Sequence, residues 1–510
     1  MYGVESTPSL EHIPLSDLHR LLPLQREKLY ELFREKQQAD RNSPEYLQQI
    51  WDTDPRWKGI TRRHTAEDIM RLRGDTYVEH TRSKNGARKF WENCTSDAEP
   101  QRALGCYTGH QAVQTVAAGC PVVYIGGWNV AADGNEDTLT DQSIYEPKKV
   151  PEHVYKMNNA LEKSQKNHWF DGTKKGKDWM VPLVADMEAG YGGELNVDIV
   201  TKWNIEAGAA AIHLEDQISA KKKCGHLDGK LLRSTEESIV MLQQVRQRAD
   251  VMDVPLMIIA RTDAVAAGWI MTDIDERDQK FIGKERSPEG YYRYRGGLDA
   301  AIARGIAFCP HADMVWFESK SPDRTEARKF AEAIHAEYPG KLLGYNCSGN
   351  FNWKAHFMSE ILARYGMQLS VKEIADMGYE KVEAFVHDQL SDVIYEQIEE
   401  EAESAMAAFQ VDLGKLGYKF QFVTTAGYWS NNVAMFELAL DYRERGMAGF
   451  SEVQERGFAL RKKGFDAATP QAFVGVKRAD FKVQCSNAGH SSTTAFKGST
   501  EAEQFSQNKT

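Results

Sequence analysis

Eight short apolar runs, separated by longer amphipathic stretches, constrain the fold of this chain more than any other feature. They occupy residues 103–107, 122–125, 180–185, 210–214, 256–260, 314–317, 341–345 and 419–423. Each is too short to be a buried helix, and most lack the apolar/polar alternation of a half-exposed strand. They therefore read as strands covered on both faces. Helical periodicity follows most of them, at 199–209, 235–251, 298–306, 324–338 and 430–445. A strand-then-helix unit repeated eight times predicts an α/β chain whose parallel sheet closes into a (β/α)8 TIM-type barrel.

The barrel is expected over 101–353 and 417–450. Residues 1–100 read as an N-terminal helical region, with apolar residues at helical spacing over 18–37 and a second helix at 65–72 capped by Thr65. Two connections are too long for bare loops. The stretch 271–297 is expected to form an irregular cap. The stretch 354–416 is expected to be a helical insertion before the last strand, and its acidic run near 395–406 reads as a solvated helix face. Residues 451–510 are expected to supply C-terminal helices and a Ser/Thr/Gly-rich lid segment.

With 42% apolar residues, the 510-residue chain can fill a large core. Its 63 basic and 74 acidic residues give a net charge of −11, which disfavours nucleic acid and anionic membranes but not a small anionic substrate in a locally basic pocket. No run is apolar enough for a membrane span, the first residues lack the apolar core of a signal peptide, and the last three are not a peroxisomal tripeptide. Seven cysteines without a Cys-x-x-Cys pair argue against a disulfide scaffold or structural zinc, so a cytoplasmic location is expected.

Polar residues gather where the predicted strands end, which in a barrel is the functional face. Strand two runs into Tyr124, Gly126, Gly127 and Trp128, and strand three into Asp186 and Glu188. Strand four ends in Glu215, strand five in Arg261, strand six in Glu318, strand seven in Asn346 and Ser348, and strand eight in Thr424. Asp186 and Glu188 are two apart, so in extended chain they share a face. With Glu215, and with Asp141 from a Gly/Asp-rich loop, they form a hard-oxygen set suited to Mg2+ or Mn2+ more than to zinc; the other reading is carboxylates capping helix N-termini. Arg261 is either a salt-bridge partner or a clamp for a carboxylate substrate. The segment Lys221-Lys222-Lys223-Cys224-Gly225-His226 puts a thiol after three lysines and beside an imidazole, which should ease its ionisation. The other reading is a basic surface loop with an incidental cysteine.

The segment Lys222-Lys223-Cys224-Gly225-His226 resembles the isocitrate lyase family, within the isocitrate lyase/phosphoenolpyruvate mutase superfamily. The likeness extends in family order through the run from Pro182 to Gly193, Glu215-Asp216-Gln217, Ala260-Arg261-Thr262-Asp263-Ala264, Tyr345-Asn346-Cys347-Ser348, Phe351-Asn352-Trp353, Tyr418-Lys419-Phe420-Gln421-Phe422 and Ser491-Ser492-Thr493-Thr494-Ala495. It covers roughly residues 60–350 and 415–505. The resemblance implies Mg2+-dependent, reversible cleavage of isocitrate into glyoxylate and succinate, the step of the glyoxylate bypass. It also implies a homotetramer whose barrels exchange helices. It implies metal ligation by Asp186, with Asp141, Glu188 and Glu215 around it. Catalytic roles fall to Cys224, His226, Tyr124, Glu215 and Arg261. Substrate contacts fall to Gly126, Gly127, Trp128, Gly225, Arg261, Glu318, Asn346, Ser348, Asn350 and Thr424.

The chain departs from the family pattern in three places. Gly126 stands where the family usually has Ser. Gly349 and Asn350 stand where it usually has Pro and Ser. The stretch after Trp353 is long. These departures keep a 2-methylisocitrate lyase in view as the rival reading, with a non-catalytic paralogue behind it.

Overall fold

The computed structural model describes residues 43–96, 99–173, 176–389 and 392–505. The helix expected over 18–37 lies outside the described residues. The chain divides into two compact units, residues 1–79 and 80–510. In the first, helices Pro44–Thr53 and Ala66–Arg73 flank a 3-10 turn, and Arg62 packs its guanidinium over the Trp51 and Trp57 rings at 4.2 and 4.3 Å. Thr65 and Asp68 close a reciprocal capping box at the start of the second helix, so two of its free N-terminal donors are satisfied.

The second unit is the barrel. Among the described residues there are twelve strands: β1 Gln101–Gly105, β2 Val122–Ile125, β3 Leu183–Asp186, β4 Ala211–Glu215, β5 Lys230–Leu232, β6 Met257–Thr262, β7 Ala267–Ile270, β8 Ile282–Arg286, β9 Tyr292–Tyr294, β10 Met314–Phe317, β11 Leu342–Asn346 and β12 Tyr418–Val423. Eight of them close a parallel barrel in the order β1-β12-β11-β10-β6-β4-β3-β2. These are the eight apolar runs, and β2 and β10 coincide with them residue for residue. Helices cover the outer face, so β2, β3, β4, β6, β10 and β11 are buried along their whole length. That two-sided burial is why the runs are apolar throughout.

The interior of the barrel is a separate apolar cluster. Ala103, Val122, Val184, Met257, Met314, Phe420 and Phe422 fill it, and helix Thr81–Thr95 adds Phe90 and Cys94. Phe90 meets Phe420 edge-on at 5.3 Å. Nearer the mouth, Tyr124, His213, Trp316 and Phe422 pack ring against ring, with Tyr124 4.4 Å from Phe422 and Trp316 5.1 Å from Phe422. This aromatic floor separates the greasy interior from the polar strand ends.

The stretch 271–297 is more regular than expected. It forms helix Glu276–Gln279 and strands β8 and β9, which join β5 and β7 in a four-stranded side sheet of order β5-β7-β9-β8. The pairing is set by the neighbouring strands, not by any apolar alternation of the segment itself. Between β11 and β12 lie helices Trp353–Arg364, Val371–Met377, Tyr379–Gln389 and Asp392–Lys415. The acidic run lies on a helix whose Ile398 and Ala402 are buried while Glu396, Glu400 and Glu403 face solvent. No helix among the described residues is long and apolar enough to cross a membrane.

Candidate active site

Parallel register brings the chemistry to one end. Asp186 of β3 pairs with His213 of β4, Glu215 of β4 with Arg261 of β6, and Arg261 with Trp316 of β10. The cleft above them is lined by Tyr124, Trp128, Asp141, Asp186, Cys224, Gly225, His226, Arg261, Glu318, Asn346, Ser348, Asn350, Thr424 and Thr425. Gly126, Gly127, Glu188 and Glu215 lie directly behind this lining, and residues 491–505 do not border it in this chain.

Asp186 is the hub of the carboxylates. One oxygen accepts the Gly127 N–H at 2.8 Å and the Tyr124 hydroxyl at 3.4 Å; the other accepts the Glu188 N–H at 2.8 Å. Burial opposes its ionisation. His213, Lys222 and the two N–H groups outweigh that and hold its carboxyl below the usual range.

Glu188 does not share a face with Asp186, because the chain is not extended there. Glu188 has φ 53°, in the left-handed region, and turns its side chain away from the cleft. Tyr145 and Ser143 donate to its two oxygens, and Lys222 pairs with it and with Asp141. Ser143 (φ 55°) and Tyr191 (φ 58°), whose ring meets Tyr145 at 6.0 Å, also hold the strained backbone region. Strain concentrated around one carboxylate marks a functional pocket. Burial raises the Glu188 carboxyl, with Asp141 and Asp186 adding to the rise against the pull of Lys222. Glu215 is raised too, chiefly by burial; its oxygens meet Gln217 at 3.3 Å and Arg261 at 3.2 Å.

Arg261 lies over the Trp316 ring at 4.7 Å and pairs with Glu215 and Asp263. Both readings of this residue therefore coexist: it is ion-paired, yet it faces the cleft. Across from it, Asn346 donates to Glu318 at 3.1 Å and accepts from Thr424 at 3.0 Å, and the Ser348 hydroxyl accepts the Asn350 N–H at 3.1 Å. His226 stands 3.5 Å from Glu318 and edge-on to Phe351. Burial lowers its pKa, against the pull of Glu318.

The lysines before Cys224 do not make it an easily ionised thiol, because the pull of Lys222 is outweighed by burial. Lys222 is turned down to Asp141 and Glu188, Lys221 is exposed, and burial pushes the Cys224 thiol up to about 12. Iodoacetamide is therefore expected to label Cys224 slowly at pH 7, roughly 10³-fold below an ordinary free thiol, and to speed up about tenfold per pH unit until the thiol ionises. Peptide mass spectrometry of labelled enzyme reads this directly, and fast labelling at pH 7 contradicts it.

Two participants escape a reading of strand ends. His213 sits on β4 two residues before Glu215, so both point into the barrel. Its Nε2 lies 2.8 Å from the Tyr124 hydroxyl, and burial lowers its pKa to about 4. Lys222 is the cation of the carboxylate cluster, and burial works against its charge while Asp141 and Glu188 raise it. The spacing to Glu215 was the available signal for His213. Nothing local distinguishes Lys222 from its two neighbours.

Among the described residues no three His, Cys, Asp or Glu side chains converge closely enough to ligate one ion. The carboxylates lining the cleft, Asp141, Asp186 and Glu318, present hard oxygens, with Asp141 paired to Lys222, while Glu188 behind them is held by Tyr145, Ser143 and Lys222. This set suits a small divalent ion that keeps most of its waters and is anchored by one or two carboxylates.

Known proteins match this sequence over nearly the whole chain. The isocitrate lyase family model covers residues 45–285, 283–387 and 388–505. The isocitrate lyase of Halalkalibacterium halodurans is 42% identical over 91% of this chain and 99% of its own length. Isocitrate lyase 1 of Mycobacterium tuberculosis is 42% identical over 91% of this chain and 98% of its own. The isocitrate lyase of Escherichia coli is 41% identical over 90% and 98%. A closed barrel carrying these strand-end residues, matched over this much of its length, belongs to the isocitrate lyase family.

Proposed function

We propose that this chain is a carbon–carbon lyase that splits isocitrate reversibly into glyoxylate and succinate with Mg2+, as in the glyoxylate bypass. The observation that carries the reading is the meeting of Asp186, Cys224 and Arg261 in one cleft, from β3, the loop after β4, and β6. Asp186, with Asp141 beside it, would hold the hydrated ion. Bound Mg2+ supplies positive charge next to the oxygen that becomes the glyoxylate carbonyl.

The protein's own groups handle carboxylates and protons. Arg261, Asn346, Ser348 and Thr424 bind the substrate carboxylates. Tyr124 faces the hydroxyl that must lose its proton, and His213 stands behind it with Nε2 2.8 Å from the phenol oxygen, on the path a relayed proton would take. The broken C–C bond leaves an electron pair on the succinate carbon, which Cys224 protonates. A thiol raised to about 12 stays protonated at neutral pH, the form an acid must have.

At two of the departures from the family pattern the room a side chain would need is already filled. A Cβ at Gly126 would lie 2.8 Å from the Tyr124 ring and 3.2 Å from Thr424. One at Gly349 would lie 2.0 Å from Thr425 Oγ1 and 3.2 Å from the Trp429 indole nitrogen. Neighbouring side chains fill both positions, so neither glycine opens extra room. Glyoxylate release from the two substrates, each with and without Mg2+, tests the reading: a higher kcat/KM for isocitrate and dependence on the metal are expected, and a preference for 2-methylisocitrate overturns it.

A homotetramer with exchanged helices completes the proposal. Helix Ala426–Arg445 exposes Tyr428, Trp429, Met435, Phe436 and Tyr442, more apolar surface than one solvated helix ordinarily presents. The seven free cysteines suit a reducing cytoplasm.

A further inference from the structure

Lys230 is fully buried at the start of β5, in the side sheet, where no substrate reaches it. Its ammonium donates to the Gly225 carbonyl and to Asp263 Oδ1, the latter at 2.6 Å. The same Asp263 oxygen accepts from Arg261 Nη2 at 3.0 Å. Asp263 is anchored from behind: its N–H donates to Asp216 at 2.9 Å, and Asp216 also takes Thr262 at 2.7 Å and Arg304 at 3.0 Å.

Gly225 lies against the cleft's charged wall. A Cβ there would stand 2.5 Å from Glu318 Oε1 and 2.7 Å from Arg261 Nη2. The backbone between Cys224 and His226 is therefore seated directly on the Arg261 guanidinium, and Lys230 and Asp263 hold it from below. Packing alone does not call for an ammonium at this point. A methionine of the same length would fill the space without the desolvation penalty of a buried cation. What the ammonium adds is a fixed link between a loop carbonyl and the carboxylate that braces Arg261.

We propose that Lys230 is a positioning residue: it ties the Cys224–His226 segment to the Asp263–Arg261 pair, so that the thiol and the carboxylate clamp are set in one frame. The inference rests on the reading of Arg261 and Cys224 given above. Loosening the tie misplaces the thiol while leaving Arg261, Asn346 and Ser348 able to bind substrate.

The test compares Lys230→Met with the parent enzyme. Expected are a kcat lower by about 100-fold, the scale of an ångström-sized misplacement, and a KM within about threefold of the parent. Labelling of Cys224 by iodoacetamide without substrate should also be at least about tenfold faster, because the freed loop exposes the thiol. Circular dichroism and the melting temperature report whether the variant folds. Unchanged kcat, or a fall in kcat with labelling at the parent rate, overturns the proposal. If Lys230→Met does not fold, Asp263→Asn decides: it keeps the shape and removes the charge that holds Lys230, and parent-rate labelling there overturns the proposal equally. The labelling needs no turnover, so a parent enzyme that releases no glyoxylate defeats the proposed activity without deciding this point.

Discussion

An Asp186→Ala variant is expected to release glyoxylate from isocitrate at no more than about a thousandth of the parent rate, the scale on which preorganised charge acts in such sites. The same change should also lower stability. Asp186 is buried and accepts the N–H groups of Gly127 and Glu188. Alanine strands both donors, each worth about 1–3 kcal/mol when left unpaired. Thermal unfolding and turnover at limiting Mg2+ measured on one preparation separate the two effects. Near-parent turnover at low metal would remove Asp186 from the metal's anchor, and an unchanged melting temperature would remove it from the backbone's.

Gly127→Ala should be nearly as damaging although it adds a single methyl group. That carbon would lie 2.1 Å from Glu188 Oε1 and 2.7 Å from the Tyr145 hydroxyl. Glu188 has nowhere to move, because Tyr145, Ser143 and Lys222 hold its carboxylate. The chain must yield instead, at about 2 kcal/mol or more. The Gly127 N–H then leaves Asp186, and a shift of that size at the hub should lower kcat about 100-fold. Since both substitutions act on one node, the double variant should lose less than the sum of the two losses expressed as free energies. Additive losses, or a normal kcat for Gly127→Ala, would show that the two residues act separately.

The barrel was legible because its strands are buried on both faces, which leaves short uniformly apolar runs with helical patterns between them. The side sheet was not. β5 and β9 are three residues each and β8 carries Lys284, Glu285 and Arg286, so β5 and β9 exist through pairing with β7, and β8 through pairing with β9, rather than through any pattern of their own. The strand-end polar residues were legible for the same reason as the strands. Orientation within the loops was not. Glu188 departs from the face of Asp186 through a single left-handed residue, and Lys222 is buried while Lys221 beside it is exposed. Such choices depend on which buried carboxylates lie near, and a run of identical side chains carries no sign of them.

The aromatic floor under the mouth has a consequence for ionic strength. Tyr124, His213, Trp316 and Phe422 put a low-dielectric layer beneath the buried Asp186 and Arg261, so the fields between the site's charges are strong and salt screens them little. The rest of the molecule carries a surplus of 11 negative charges and faces a substrate of the same sign. Salt therefore acts mainly on the approach. It weakens the repulsion that an incoming polycarboxylate meets outside the mouth far more than it alters the balance inside.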